Sequence, residues 1–559
     1  MNCARTAGVW TAGVLTAIVG TCCVMASPPT FPQNEKPTDP PAPPRVIVTS
    51  PARTWGAPGR ASFGSQVNVS AAGLNIIGDA ANEPSLAVDP LNPQRITFGW
   101  RQFDSVASNF REAGVGYSTD GGRTWRASTL DNGLFRSDPV LDSGPNGEMY
   151  YNSLSTRTGG FACDTFRSFD GGQSYGPFVP SFGGDKAWFH VDKTSSIGRG
   201  NIYGFWSFYA GCCNPSNFMR STNGGASYTL HEITAEHPYF GTLTTGPDGE
   251  LYMFGDSGDN SFLAVVKSLN AKNAAATPTF TLAGTLDYST FGFYVVSSAA
   301  SPNPGGLLGQ GWIACDRSTG PRRGWLYVCW STDRLDSDPL DVMFARSTDG
   351  GTTWSTPIRV NPDAPDANSW QWFGTMAVSL NGRIDVVYNS NHQHLTNSRL
   401  NETYYRSSSD GGVTWGAVEQ LSATFDSWLG WPNQNKMGDY YDLKSDLTGA
   451  FLACSNTLNG EQDVYCVRIG EYDCNQNGVG DATEIASGAA LDSDNNEILN
   501  TCEDRCPSDF NGDGFVTGDD FDLYVVAFEA GSIGADIDRD GFVTGDDFDA
   551  YVLAFETGC

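Results

Sequence analysis

The chain is poor in charge, in basic residues and in histidine. Only 17% of its 559 residues are charged, and 33 Lys and Arg stand against 63 Asp and Glu. Nucleic acid is therefore disfavoured as a partner, because its phosphates need a basic footprint on the protein. The 5 histidines are scattered and no cysteine pair has CxxC spacing, which argues against a zinc site. No run beyond the first 26 residues is long and apolar enough to be a transmembrane segment.

The first 26 residues have the features of a signal peptide. Arg5 precedes the apolar segment GVWTAGVLTAIVG at 8–20, and small residues follow it. We therefore expect a secreted or cell-surface protein. A lipid anchor at Cys22 or Cys23 is the alternative. Residues 27–65 are rich in proline and predict an extended linker.

Eleven cysteines follow the signal, and in an exported protein we expect most of them to be paired. Within the main domain the expected bridges are Cys315–Cys329, Cys454–Cys466, and Cys163 with either Cys212 or Cys213. In the tail they are Cys474–Cys502 and Cys506–Cys559. One cysteine is left over.

A short motif recurs five times, after a strand–turn–strand pattern that also recurs. Its copies are YSTDGGRTW (117–125), RSFDGGQSY (167–175), RSTNGGASY (220–228), RSTDGGTTW (346–354) and RSSSDGGVTW (406–415). Repeats of about 50–65 residues with four short strands each are typical of a β-propeller. We predict a mainly β chain with a propeller over 66–470. Seven blades are favoured over six, and QVNVSAA at 66–72 supplies the strand that closes the ring.

The motif itself predicts a scaffold rather than a site. Its two glycines suit a hairpin with positive φ between the third and fourth strands of a blade. Its Asp, for example Asp120, can accept the N–H groups of its own loop, and its Trp or Tyr can pack back over the hairpin. The same interpretation applies to Asp170, Asp349 and Asp410.

This repeat resembles the Asp-box (BNR) repeat of the sialidase superfamily over about 75–470. The resemblance implies a glycoside hydrolase that uses three arginines, a Tyr–Glu pair and an Asp. No arginine triad can be placed in this chain, and its nearest match, Arg45, lies in the predicted linker. We expect a sialidase-like propeller that hydrolyses glycans. The alternative is a non-catalytic propeller that binds glycans or proteins at the cell surface.

The site is expected at one end of the channel, where the innermost strands begin. Polar and acidic residues recur there in successive repeats, and ring geometry brings them together. The predicted catalytic residues are Glu83, Asp138, Asp439 and Tyr440. The predicted substrate-binding residues are Asp185, Lys186, Trp370 and Trp372. Alternatively, acidic residues before proline only shape the turns between blades.

Two thirds of the net charge of −30 lies in the tail, where 471–559 hold 22 acidic residues and 2 arginines. Within it, DFNGDGFVTGDD (509–520) and DIDRDGFVTGDD (536–547) place oxygen donors as EF-hand loops do, and each runs into an amphipathic helix. The predicted Ca²⁺ ligands are Asp509, Asn511, Asp513, Phe515, Asp520, Asp536, Asp538, Asp540, Phe542 and Asp547.

The paired loops resemble a dockerin module over 506–559, which implies a cohesin or cell-surface partner. A weaker pair of loops precedes them at 471–505 and resembles thrombospondin type 3-like calcium repeats.

Overall fold

The structure is a computed structural model that describes residues 39–56, 62–157, 160–259, 261–287, 300–333, 338–492, 498–502, 507–510, 516–535, 537 and 543–557. The predicted signal peptide lies outside these ranges. Among the helices that are described, none has the length and apolar character needed to cross a bilayer.

The first described strands lie partly in the range predicted to be a linker. They are β1 (Thr49–Pro51), β2 (Thr54–Trp55), β3 (Ser62–Gln66) and β4 (Leu74–Ile76), of which β1 and β4 pair with each other. Arg45 is also held here, since its guanidinium donates to the carbonyls of Asp104 at 3.0 Å and Ile77 at 2.5 Å. Much of 39–66 therefore packs against the domain that follows.

Blades one to three are antiparallel sheets of four strands in chain order. Blade one contains β5 (Ala80–Val88), β6 (Ile96–Phe103), β7 (Glu112–Ser118) and β8 (Arg126–Leu130). Blade two contains β9 (Ser137–Ser143), β10 (Met149–Arg157), β11 (Gly160–Ser168) and β12 (Val179–Phe182). Blade three contains β13 (Trp188–Val191), β14 (Ile202–Phe205), β15 (Phe218–Ser221) and β16 (Thr229–His231).

Blades four to six repeat this order. Blade four contains β17 (Leu243–Thr245), β18 (Leu251–Asp256), β19 (Phe262–Ser268) and β20 (Thr281–Asp287). Blade five contains β21 (Trp312–Cys315), β22 (Leu326–Thr332), β23 (Asp341–Ser347) and β24 (Ile358–Arg359). Blade six contains β25 (Gln371–Val378), β26 (Ile384–Ser390), β27 (Leu400–Ser408), β28 (Glu419–Gln420) and β29 (Phe425–Asp426), the last of which pairs with β27.

Blade seven closes the ring with strands from both ends of the domain. It contains β30 (Asp442–Ser445), β31 (Gly449–Asn456) and β32 (Asp463–Gly470), followed by β3 and β2. The first strand of each blade contacts the first strand of the next, and that of blade seven contacts that of blade one. The seven-bladed propeller is thus confirmed. The closing strand lies a few residues earlier than predicted, because the ladder with β32 ends at Gln66.

The repeated motif forms the hairpin between the third and fourth strands, as expected. In blade one the Ser118 hydroxyl donates to Asp120 Oδ1 at 2.6 Å and accepts from Gly122 N at 2.9 Å. Asp120 Oδ1 also accepts two loop N–H groups, and Gly122 has a φ of 87°. Trp125 packs edge-on against Phe98 with centroids 4.9 Å apart. The Ser and Asp side chains of the motif are therefore bonded within their own loop, and its Trp packs against the same blade.

The described cysteines pair differently from the prediction. Cys474 and Cys502 form the expected disulfide, whereas Cys212 bonds to its neighbour Cys213. Cys163 consequently stays a buried free thiol, and its predicted bridge is wrong. The predicted pair Cys506–Cys559 lies outside the described residues.

Strand register explains the two other predicted bridges that do not form. Side chains alternate between the two faces of a strand, so only residues that are directly opposite, or an even number away, share a face. Cys454 is opposite Tyr465, which puts the next residue, Cys466, on the other face. Cys315 is opposite Leu326, three residues from Cys329. All four thiols are free and buried.

The described residues after the propeller form three α-helices: α1 (Asp481–Ser487), α2 (Gly518–Glu529) and α3 (Gly545–Thr557). The second and third are the two predicted after the acidic loops. Tyr524 and Tyr551 stack with centroids 3.7 Å apart and ring planes 5° apart, and five phenylalanines surround them. The matched helix faces thus form a small aromatic core.

Candidate functional site at the propeller channel

A backbone irregularity recurs where the innermost strands begin. In five blades a residue other than glycine has a positive φ at the same distance from the end of the strand: Glu83 (50°), Asp138 (45°), Lys186 (55°), Phe240 (50°) and Phe373 (56°). Register shifts mark bulges at this place in blades one, two and six. Such bulges redirect side chains and are frequent beside functional sites. Three of the five residues are charged.

These residues belong to a buried group of four carboxylates and three cations, which we call the charged cluster: Glu83, Asp138, Asp185, Asp439, Arg101, Lys186 and Lys436. Lys186 is at its centre. Its ammonium group contacts Asp439 directly and lies 3.6 Å from Asp138 Oδ2 and 3.5 Å from Asp185 Oδ1. Three acids from three different blades or loops thus share one lysine.

Lys436 and Arg101 complete the charged cluster around Glu83. Lys436 Nζ lies 2.8 Å from Asp439 Oδ2 and 3.6 Å from Glu83 Oε1. Arg101 Nη2 lies 3.2 Å from the same glutamate oxygen, and its Nε donates to Asn82. Both oxygens of Glu83 lack a hydrogen-bond donor among the described residues. Glu83 is therefore paired only through charge.

The pKa values of the two central carboxyls, Glu83 and Asp439, are shifted in opposite directions. Burial raises the pKa of Glu83 to about 8, although Arg101, Lys186 and Lys436 oppose this shift. Burial also acts on Asp439, but Lys186, Lys436 and Arg101 outweigh it and hold the pKa of that carboxyl well below its ordinary value. At neutral pH the pair thus holds one proton on Glu83 and one negative charge on Asp439.

Tyr440 lies beside the charged cluster, as predicted. Burial raises the pKa of its phenol well above the ordinary value, and the nearby Glu83 and Asp138 raise it further. Its hydroxyl donates to the carbonyl of Pro139 at 2.8 Å. The ring packs edge-on against Trp188, with centroids 5.2 Å apart. Tyr440 is therefore a protonated hydrogen-bond donor in this structure.

The charged cluster is covered by two loop segments, 303–307 and 437–439, which are hydrogen-bonded to each other. Asn303 donates to the carbonyl of Gly438 at 2.9 Å and accepts from Met437 N, while Leu307 N donates to Asp439 Oδ1 at 2.8 Å. Six of the seven charged residues are at most 6% exposed, Asp185 being the exception. Five of the eight predicted site residues thus meet, with Tyr440 against them, but beneath a cover that sequence reasoning did not foresee.

The other two predicted residues lie elsewhere. Trp372 is fully buried and its indole N–H donates to Asn401 at 2.9 Å, and Trp370 is in the same apolar core between blades. Neither ring presents an open face to a sugar, because the bulge at Phe373 turns this stretch into the core.

The opposite end of the channel contains a cavity of about 630 Å³, which we call the channel cavity. It lies where the innermost strands end, on the side of the repeated hairpins. Its apolar lining includes Trp188 and Trp312, which pack edge-on with centroids 5.1 Å apart. Its polar lining includes His190, Lys193 and Lys444. Small-molecule sites have volumes of about 300–1,000 Å³, so this cavity has the size of a ligand site.

Asp142 organises the polar wall of the channel cavity. Its carboxylate contacts the ammonium of Lys193, lies 3.3 Å from His190 Nδ1 and accepts from Val191 N at 2.8 Å. Burial alone would raise the pKa of Asp142, but Lys193 and His190 hold it well below the ordinary value. Sequence reasoning missed these residues, although acidic residues also recur where the innermost strands end, as at Asp89 and Asp142.

A further acidic group lies beside blade seven, where the segment just before β5 approaches the start of β32. Ligand atoms of Asp79, Glu461 and Asp463 lie within 4.8 Å of one another. Amide groups occupy much of this group already, since Asp463 accepts from Gln66 and Asn68. Burial raises the pKa of Asp463 to about 7. The group therefore fits a proton shared among carboxyls as well as a cation.

Of the predicted Ca²⁺ ligands, three are described, Asp509, Asp520 and Asp547. In both copies the last loop position caps the helix that follows: Asp520 Oδ2 accepts from Thr517 N at 2.8 Å and Asp547 Oδ2 from Thr544 N at 2.7 Å. The other predicted ligands lie outside the described residues: Asn511, Asp513, Phe515, Asp536, Asp538, Asp540 and Phe542.

No family model matches the chain. It is similar to a xyloglucanase from Paenibacillus sp, with 26% identity over 302 residues. The match covers 48% of this chain and 26% of that protein, so the chain spans about a quarter of the curated relative it matches.

Solved structures with a similar course of the chain include three proteins. A protein of unknown function from Dyadobacter fermentans is 12% identical, with a TM-score of 0.40 over 74% of this chain and 100% of that one. A Hadza microbial sialidase is 14% identical, with a TM-score of 0.35 over 70% and 66%. A Trypanosoma rangeli sialidase is 10% identical, with a TM-score of 0.33 over 72% and 57%.

Proposed function

We propose that the propeller is a glycoside hydrolase whose reacting groups are Glu83 and Asp439. The observation that carries this proposal is the pair of carboxyls with pKa values pushed apart, one protonated and one ionised at neutral pH. Glycosidases place such an acid and such a carboxylate about 5–10 Å apart on either side of the scissile bond. Here one ammonium group, that of Lys436, contacts both.

Each residue of the pair has a defined task in this proposal. Glu83 donates its proton to the glycosidic oxygen as the bond to the leaving sugar breaks. Asp439 stabilises or attacks the anomeric carbon, either directly or through a water that it deprotonates. Lys186 and Lys436 keep Asp439 ionised. The substrate reaches the pair after the contacts of Asn303 and Leu307 with 437–439 open.

The sequence similarity to a xyloglucanase supports a glycan as substrate, as does the resemblance of the repeats to the Asp-box. The absence of a recognisable arginine triad in the sequence argues against a sialoside as the preferred substrate. We therefore place neutral polysaccharide fragments before sialosides in a substrate panel.

The test is a fluorogenic glycoside screen on the full-length chain. The panel contains sialosides, α-L-arabinofuranosides and xyloglucan oligosaccharides, and the wild type is compared with Asp439→Asn and Asp142→Asn. These two variants carry the same substitution at opposite ends of the channel. Loss of turnover in Asp439→Asn alone supports the proposal. Loss in Asp142→Asn alone moves the reaction to the channel cavity.

A non-catalytic propeller that binds glycans or proteins is the second candidate. The observation that favours it is the burial of the charged cluster, whereas the channel cavity is an open concave surface. A folded full-length chain that turns over no member of the panel but binds on a glycan array supports this candidate.

We further propose that the chain is exported and that its tail binds Ca²⁺ and docks on a cohesin-like or cell-surface partner. The two matched acidic loops support this proposal, since hard oxygen donors at positions 1, 3, 5 and 12 suit Ca²⁺. We expect EDTA to lower the melting temperature of the tail, and Asp509→Ala with Asp536→Ala to abolish that effect. A control that changes Asp519 and Asp546 to Ala keeps every proposed ligand and should respond as the wild type does. Equal melting with and without EDTA in the wild type would contradict the proposal.

A further inference from the structure

Among the described basic residues that line the channel cavity, Arg317 is the one whose side chain has neither a hydrogen bond nor an ion pair. Arg317 follows β21 and lines the cavity, and within the described part of the chain its guanidinium makes no hydrogen bond or ion pair. The side chain is only half-buried. A buried or half-buried guanidinium normally has a carboxylate or phosphate partner, because its five donors are expensive to leave unpaired.

Basic residues from three blades converge near Arg317. Lys193 comes from blade three and Lys444 from blade seven, and both line the same cavity. Burial lowers the pKa of Lys193, and the positive charges of Lys444 and Arg317 lower it further against the opposing effect of Asp142, so both cations are close enough to Lys193 to repel it. This concentration of cations stands out in a chain with a net charge of −30.

Every carboxylate that lines the cavity is already engaged. Asp142 is held by Lys193 and His190, and Asp446 by Arg468. Asp89 accepts from Leu91 N at 2.9 Å, and Asp473 accepts from two N–H groups of its loop. The Asp442 carboxylate beneath Lys444 also accepts from the Ser85 hydroxyl. These carboxylates therefore already accept from other groups of the protein, and among the described residues none of them contacts Arg317.

The rest of the lining suits a ring rather than a bare ion. Trp188, Trp312, Met376 and Leu443 are among the apolar residues of the wall, and His190 lines it together with Lys193, with which it shares the Asp142 carboxylate. A volume of about 630 Å³ holds far more than an inorganic anion. The occupant thus combines one anionic group with a body that has apolar faces, and sugars with an acidic substituent have both features.

We propose that the channel cavity binds a sugar bearing a carboxylate, which Arg317 holds with Lys193 and Lys444 beside it. The planar guanidinium matches a carboxylate with two parallel hydrogen bonds. This proposal is independent of the hydrolase, whose reacting groups lie at the other end of the channel.

The test is isothermal titration calorimetry on the full-length chain with D-glucuronic acid, its reduced counterpart D-glucose, and D-glucose 6-sulfate. We expect heat of binding with glucuronic acid and none with glucose. Arg317→Ala should weaken binding tenfold or more, and Arg317→Lys should weaken it less. Arg126→Ala is the matched control, because Arg126 is an exposed arginine on the outermost strand of blade one and likewise has no ion pair with any residue that the structure describes.

Three results would overturn the proposal. These are the absence of binding by glucuronic acid, equal binding of glucose, and affinity that Arg317→Ala leaves unchanged. Binding of the sulfated sugar alone would overturn the carboxylate assignment. The variant Glu83→Gln should bind glucuronic acid as the wild type does, whether or not it turns over a glycoside, so the two proposals fail separately.

Discussion

Glu83→Gln is expected to lower glycoside turnover by about 10²–10⁴-fold, the usual contribution of a general acid. Glutamine keeps the shape of the side chain but has no proton of suitable acidity to give to the leaving sugar. The measurement is kcat/KM on the best substrate of the screen. Glu112→Gln is the matched control, because Glu112 is another buried glutamate of blade one with a raised pKa, and it lies outside the charged cluster. Its turnover should stay within a few-fold of the wild type.

The pH profile separates a proton donor from a structural residue. With a pKa of about 8, Glu83 is protonated below that pH, so wild-type kcat/KM should fall as pH rises through about 8. The ionised partner Asp439 has a pKa well below 3.8, which keeps the acidic limb far from neutrality. Glu83→Gln should lack the basic limb. A variant with an unchanged profile and a few-fold lower rate would contradict the assignment.

The free energy of unfolding should also depend on pH through Glu83, and it should fall as pH rises because the pKa of Glu83 is raised in the folded protein. The folded pKa of Glu83 lies above its ordinary value of 4.5, so its contribution is complete below pH 4.5 and is lost as pH rises through about 8. Glu83→Gln has no such loss. The melting temperature of the variant minus that of the wild type should therefore increase between pH 5 and pH 8.5.

The repeats contained enough information for the fold and for the meeting of the site residues. The Ser, Asp and Gly residues of each motif fix one hairpin per blade, and a closed ring then brings equivalent positions together. Glu83, Asp138 and Lys186 meet for this reason, although they are about 50 residues apart in the chain.

Burial, strand register and the accessibility of the site could not be predicted from the repeats. Whether Cys454 can reach Cys466 depends on a shift of one residue in a ladder, which alternating hydrophobicity does not fix when both faces are buried. The cover over the charged cluster comes from loops that belong to no repeat, such as the one with Asn303. The channel cavity also escaped prediction, although Lys193 and Arg317 hold equivalent positions, each two residues beyond its strand in a turn of ten residues.

Lys186→Met is expected to destabilise the propeller by about 3–5 kcal/mol, the cost of leaving buried charges without their partner. Its ammonium group serves Asp138, Asp185 and Asp439 at once, and its side chain is 4% exposed. Methionine fills the same volume, so the loss reports charge rather than packing. Urea unfolding followed by tryptophan fluorescence measures it. Lys193→Met is the matched control, because that ammonium group also contacts a carboxylate but its side chain is 22% exposed. The control should cost less than Lys186→Met, because water reaches that side chain and His190 and Val191 N still contact Asp142.

The dependence on pH tests the physical cause of this loss. Asp439 stabilises the fold above its ordinary pKa of 3.8 and ceases to do so as pH falls through its lower folded value. In Lys186→Met the carboxyls take up protons at higher pH than in the wild type, so the stability gap should narrow as pH falls below about 4. Lys186→Met with Asp439→Asn should cost less than the sum of the two single changes, because the pair acts as a unit. Additive losses and a gap that does not vary with pH would mean that Lys186 stabilises the ring by packing, and that the charges around it are held apart by other groups.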